Sequence, residues 1–443
     1  GMLKALQRAA DAAEVRSVQE IEAEVTENYL KIFEDEFANR AKKNKTLLKI
    51  PRFFFKPAGQ NPDALHEQVR REARLKLLRR AETSLLETEE VDRLWSLLTE
   101  NCSPPLGAVE AINYDNFCQV RDQLPDKFEP YFRPSVFLRL KTDAYGRIGI
   151  LPFFQFVVRS DGLRHKRLSL SYYDSAGFGF LREPDLEAFI ADQMTVFPCL
   201  QVLEESFTPF YQCTAVRKLF FFLDPQRKGK IKIKDLATCT MLDDFFALRH
   251  ANLPEAELAS NWFSSHNALR VYSMYLRLDM DRNGLLSREE LQHFGGRGLT
   301  SVFVERVFQQ CHTYDDEIDY KTFLDFVLAM ENKQTPQSLR FFWRFLDVQN
   351  KGFLSIFDIN YFFREVAMQL ERSGHPVVEV VDVKDEIFDM VKPADPLKIT
   401  LEDLEKSNVG GTVISMLIDM QAFYEYDNRE SFLAQDDDDE GTL

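Results

Sequence analysis

The chain has 443 residues, a formal net charge of -16 from 71 acidic against 55 basic residues, and an apolar share of 45%. That charge would repel nucleic acid and anionic lipid, so neither is expected as a partner, and no apolar run approaches the roughly 18 residues that a membrane span needs. With 39 Phe but only 18 Gly and 18 Pro, the composition argues against disorder and against a Gly-rich β-protein, and for helices packed through aromatic contacts.

The N-terminus has no positive segment followed by an apolar stretch, so no signal peptide is expected. Cys102, Cys118, Cys199, Cys213, Cys239 and Cys311 are scattered without CxxC spacing. That suits buried, reduced thiols in the cytosol or nucleus. Residues 1–48 form an N-terminal helical extension: Val15, Val18, Ile21, Val25, Tyr29 and Phe33 recur at the spacing of a helix laid on another surface. Residues 49–100 follow as a linker and helix. Phe53, Phe54 and Phe55 are bracketed by Pro51 and Pro57, which excludes a helix interior. The strip reads as a linker tucking its rings into the core, with a docking peptide as the alternative. Residues 62–100 then read as helix, with Leu75, Leu77, Leu78, Leu85, Leu86, Val91 and Leu94 at helical intervals.

From there a phrase repeats: an aromatic-rich helical run, an Asp, a Gly five residues later, and an aliphatic residue two beyond that. Strong copies run from Asp224 through Gly229 to Ile231, and from Asp347 through Gly352 to Leu354. Weaker copies carry Asp174, Gly179 and Leu181, or Gly146 and Ile148. Half-copies keep only the aliphatic residue, at Ile112, Ile318 and Ile399. The sharpest copy is 279–290. Asp279, Asp281 and Asn283 supply short oxygen donors at positions 1, 3 and 5, and Gly284 supplies the turn at position 6. Leu285 offers its carbonyl at position 7, Ser287 holds a water at position 9, and Glu290 closes the set at position 12. A hard cation taking about seven oxygens needs this mixture, so the segment reads as an EF-hand loop for Ca2+.

The expected fold is therefore mostly α: tandem paired EF-hand helix-loop-helix units with short two-stranded β-bridges. Position-8 residues of paired loops should exchange backbone hydrogen bonds that a single hand would leave unmade. The predicted pairs are Ile112 with Ile148, Leu181 with Ile231, Leu286 with Ile318, and Leu354 with Ile399. Residues 101–265 form an N-terminal lobe of degenerate hands, 266–430 a C-terminal lobe with the one calcium-competent loop, and 431–443 an acidic tail holding Asp436 to Glu440.

The other loops should not hold calcium. Ala176 and Phe178 stand where oxygens belong, Lys141 and Pro152 occupy positions 1 and 12 of another loop, and Asp315, Asp316, Glu317 and Asp319 sit at the wrong offsets. Lys228 and Lys351 each place an ammonium at position 5, repelling a cation. Each lysine is expected either to replace the ion, lying between Asp224 and Asp235 or between Asp347 and Asp358, or to point to solvent. Catalytic signatures for phosphate loops, zinc proteases, serine hydrolases and kinases are missing, and His66, His165, His250, His266, His293, His312 and His375 show no metal-ligand spacing. No catalytic residue and no organic cofactor is expected.

Ile50-Pro51-Arg52-Phe53-Phe54-Phe55 resembles the opening of the B-double-prime regulatory subunits of protein phosphatase type 2A. Residues 385–393 with 398–404 resemble their C-terminal signature, and residues 215–224 and 319–328 resemble the gamma branch, which includes the plant TONNEAU-type proteins. The resemblance implies a non-catalytic subunit that docks on a helical-repeat scaffold subunit and the catalytic subunit, through hands between about 130 and 245, and selects phosphoprotein substrates. It implies a cytoplasmic and nuclear location, linked to the centrosome and microtubules. Relatives outside the gamma branch carry a calcium-competent hand where Gln349 and Lys351 stand here, so calcium dependence should rest on 279–290. A stand-alone calcium sensor and a cytoskeletal adaptor are the alternatives.

Overall fold

A computed structural model describes residues 64–429 except 104–109, 202, 251–252, 297 and 377. The expectations for 1–48, for the strip at 50–57 and for the acidic tail lie outside the described residues. The chain divides into units 1–72 and 73–443, and every described hand belongs to the second.

The expected helix over 62–100 is two helices, Ala64–Thr83 and Thr88–Glu100. The break has a physical cause. Leu85 and Leu86 turn into the core, the Leu86 amide donates to Asp161 at 3.4 Å, and a new helix starts where the Glu87 amide donates to Glu90 at 2.9 Å.

Eight helix-loop-helix units follow. Their helices are Thr88–Glu100 with Tyr114–Asp122, Pro134–Phe137 with Ile150–Tyr173, the same Ile150–Tyr173 with Glu183–Val196, and Thr208–Leu223 with Ile233–Thr238. The second half continues with Ser265–Leu278 and Arg288–Leu291, Ser301–Gln310 and Tyr320–Glu331, Pro336–Leu346 and Ile356–Arg372, and Val380–Val391 and Leu401–Ser407. Helices Gly410–Ile418 and Met420–Asp427 close the fold. No helix among the described residues is long and apolar enough to cross a membrane.

All four expected loop pairings are present. Strand β1 (Ala111–Ile112) pairs antiparallel with β2 (Ile148–Gly149), placing Ile112 opposite Ile148. Strand β3 (Phe180–Leu181) pairs with β4 (Ile231–Lys232), placing Leu181 opposite Ile231. Leu286 and Ile318 exchange two backbone bonds of 2.9 Å, and Leu354 and Ile399 exchange bonds of 2.7 and 2.9 Å. All eight side chains are buried. The same residue thus satisfies backbone in a dry place and fills the core beneath it.

The buried apolar side chains form two clusters. One spans Leu86 to Val157 around Phe117, whose ring meets Phe132, Phe137 and Phe153 at centroid distances of 4.6 to 5.2 Å. The other runs from Leu170 to Phe423 and gathers the remaining three loop pairs. Such ring pairs add roughly 0.5–1.5 kcal/mol each beyond burial, which is where the high Phe content goes. The six cysteines are free and half-buried, not fully buried, and the Cys213 pKa is pushed up to about 12 chiefly by burial.

Candidate metal centre

The loop backbone is shaped without any metal. In the loops at 224, 279 and 347, position 4 is left-handed (Arg227, Arg282 and Asn350, φ 53°, 61° and 53°), and so is the glycine at position 6 (Gly229, Gly284 and Gly352, φ 69°, 82° and 78°). That double reversal needs glycine at position 6, where a side chain would be strained. The position-1 aspartate locks it by accepting the glycine N–H: Asp224 at 2.7 Å, Asp279 at 3.0 Å and Asp347 at 2.6 Å. Asp174 does the same for Gly179 at 2.7 Å. The recurring Asp therefore has a structural role in loops that lack a full ligand set.

Among the described residues, the degenerate loops at 143, 174 and 347 each carry a cation of the protein's own. Arg147 donates to Asp143 at 2.8 Å and to the Ser103 carbonyl at 2.6 Å. Arg74 reaches the loop at 174, bonding the carbonyls of Asp174 and Ser171. Lys351 lies 3.3 Å from Asp358, which is 4% exposed, as expected of a replacement ion. Lys228 differs: it is exposed and pairs with neither Asp224 nor Asp235, so the replacement idea fails there. The cause is position 9. Ser355 donates its N–H and hydroxyl to Asp358 at 2.9 and 2.8 Å and turns that carboxylate inward, whereas Lys232 has no such hydroxyl and Asp235 stays exposed.

In the loop 279–290, carboxylate oxygens of Asp279, Asp281 and Glu290 lie within 4.8 Å of one another. Asp279 and Glu290 are 6% and 5% exposed. None of the three forms an ion pair with Lys or Arg among the described residues. Glu290 is held by N–H donors: Met280 at 2.8 Å on one oxygen, Ser287 N–H and hydroxyl at 2.9 Å each on the other. Burial pushes its pKa up, and these bonds outweigh burial and leave it below the usual range. Tyr275 donates to the Gly284 carbonyl at 2.7 Å, fixing the turn. The Leu285 N–H donates to the Asn283 amide oxygen at 2.7 Å. All six sequence-predicted residues thus sit on one short loop. Two buried carboxylates and one exposed one, mutually repelling and without a counter-charge among the described residues, fit a hard cation.

Glu317, read from sequence only as an acidic residue at the wrong offset, has a role in this cage. Glu317, on the paired loop, accepts from the Asn283 side-chain NH2 at 3.0 Å, alongside Asp281 at 3.1 Å. A carboxylate can only accept, so the Asn283 NH2 faces the two carboxylates and the amide oxygen is left for the cage. Glu317 precedes Ile318, and the Leu286–Ile318 bridge brings it there.

Paired helix-loop-helix units bridged at position 8, with a cluster of three carboxylates on one loop among the described residues, define an EF-hand protein. No family model matches the chain. It is 46% identical over 430 residues to the human B'' gamma regulatory subunit of serine/threonine-protein phosphatase 2A, covering 97% of this chain and 95% of the relative. The bovine counterpart is 47% identical over 425 residues, covering 96% and 94%. TON2 of Arabidopsis thaliana, a probable B'' regulatory subunit of the same phosphatase, is 36% identical over 416 residues, covering 90% and 86%. A solved chain described as a PP2A PR70 holoenzyme, labelled diCa, shares the fold at TM-score 0.53 and 23% identity, covering 58% of this chain and 96% of that one. The chain belongs to the B'' family of protein phosphatase 2A regulatory subunits, in its gamma and TON2 branch, and is a regulatory rather than a catalytic member.

Proposed function

We propose that this chain binds the scaffold and catalytic subunits of protein phosphatase 2A, directs the enzyme to chosen phosphoproteins and cellular sites, and holds one calcium ion at 279–290. The observation that carries the calcium reading is the trio Asp279, Asp281 and Glu290, gathered within 4.8 Å with no Lys or Arg paired to them among the described residues. Asn283, Leu285 through its carbonyl, and Ser287 complete the donor set. Calcium supplies the positive charge that the carboxylates lack. The partner reading rests on relatives named as regulatory subunits over nearly their whole length. Cytoplasm, nucleus and the centrosome are the proposed locations.

Gentle purification of the tagged protein from cells, with and without chelator, tests the partners. A stoichiometric helical-repeat scaffold and a metallophosphatase are expected to co-purify. Their absence would leave a stand-alone sensor or a cytoskeletal adaptor. Calorimetry on the purified chain tests the metal: sensor-type hands bind at about 10⁻⁷–10⁻⁵ M, and the loop inventory predicts about one ion per chain. Glu290→Gln is expected to abolish that binding. Two or more tight sites, or an unaffected variant, would contradict the assignment.

A further inference from the structure

A cavity of about 520 Å³ lies between the loop after helix Thr208–Leu223 and helix Pro336–Leu346. On a chain of net charge -16 it is lined by four arginines, Arg217, Arg227, Arg340 and Arg344, against the carboxylates Glu183, Asp224 and Asp325. Those carboxylates are already committed. Asp325, 4% exposed, is gripped by Arg217 at 2.6 and 2.7 Å and by Arg227 at 3.0 Å. Asp224 accepts the Gly229 N–H that locks its own loop, and Glu183 lies 2.9 Å from Lys321, although its buried Oε1 makes no well-aligned hydrogen bond among the described residues. Arg340 pairs with Glu405 at 2.8 Å while remaining 45% exposed.

Arg344 is left over. Its Nη2 donates to the Gln310 carbonyl at 2.7 Å, but its Nη1 is buried with no hydrogen-bond partner among the described residues. A buried guanidinium N–H without an acceptor is costly. Burial, and then the nearby charge of Arg227, push the Arg344 pKa down. Two guanidiniums that repel each other beside a cavity gain from a shared anion. The loop 224–235, lacking a calcium ligand set, supplies the second of them.

We propose that this cavity binds the dianion of a phosphate monoester on a phosphorylated side chain, with the exposed guanidiniums of Arg227 and Arg340 as donors and the charge of Arg344 behind them. A phosphate brings about −1.5 to −2 charges and three strong acceptor oxygens, so it can engage guanidiniums from several elements at once. The inference goes beyond the regulatory reading and does not need the phosphatase, because the test uses the isolated chain.

The probe is a fluorescein-labelled glycine-alanine peptide with one phosphothreonine, titrated in chelator and followed by anisotropy. The phosphorylated peptide is expected to bind roughly tenfold or more tightly than its unphosphorylated twin. Inorganic phosphate should compete it off. Arg227→Ala and Arg344→Leu should each weaken binding roughly tenfold, while Lys228→Ala, exposed and outside the lining, should leave it unchanged. Arg344→Leu also loses the Gln310 bond, so Arg227→Ala carries the test alone if that variant does not fold: Asp325 keeps Arg217, and the melting curve checks the fold. The idea is overturned by equal affinity for the two peptides, by no competition from phosphate, or by binding indifferent to Arg227. A penta-aspartate peptide competing as well as the phosphopeptide would likewise overturn it.

Discussion

At the scale of single residues, the hands differ by what neutralises their carboxylates. Lys351 sits 3.3 Å from a buried Asp358, whereas Lys228 stands in solvent. Lys351→Met is therefore expected to lower stability by about 1 kcal/mol, and Lys228→Met to leave it unchanged, both read by urea unfolding. Equal effects would show that position 9 does not decide the matter. Glu317 is a second residue-scale case. It orients Asn283 from the paired loop at 3.0 Å, and loss of such a supporting hydrogen bond typically weakens a metal site by roughly 10–100-fold. Glu317→Ala is expected at the low end of that range in a calcium titration, since Asp281 still accepts from the same NH2. The six ligand residues were legible because a calcium loop is a local object, read from spacing within twelve consecutive positions. Arg74 and Glu317 were not, because each acts on a loop far from it in sequence. Arg147 lies inside its own loop and could have been found, as a cation standing four residues after Asp143.

At the scale of elements, the position-8 bridges were legible for the same local reason: one aliphatic residue per loop, with hands that pair in order. The break at 84–87 was not. The leucines keep helical spacing through it, and only the tertiary demands of Asp161 and of the apolar core show why the helix stops. The bridges also separate folding from metal binding. Leu286 and Ile231 are 0% and 1% exposed, so truncating either should cost about 2–5 kcal/mol. Leu286→Ala should weaken calcium binding as well, since it lies between Leu285 and Ser287 and bonds to the residue after Glu317. Ile231→Ala should leave the calcium isotherm intact. Calorimetry beside urea unfolding distinguishes the two, and a calcium defect in Ile231→Ala would mean that the loops are coupled through the core.

At the scale of the whole molecule, the long helix Ile150–Tyr173 connects two buried clusters. Its early residues Ile150, Phe153 and Val157 belong to the cluster around Phe117, and Leu170 belongs to the one holding the other loop pairs. Midway, Asp161 is 5% exposed and accepts from the Tyr131 hydroxyl at 3.0 Å. Polar contacts of this kind are more easily loosened than a continuous apolar core, so the two clusters are expected to unfold as separate cooperative units. Phe117→Ala should then cost roughly 3–5 kcal/mol within 86–157 alone. Hydrogen exchange should show amides of that segment losing protection while the helices flanking 279–290 keep theirs, and calcium should bind as before. The two-cluster division would be wrong if protection fell evenly from Leu86 to Phe423, because a single cooperative core spreads the loss of one ring over every residue it contains.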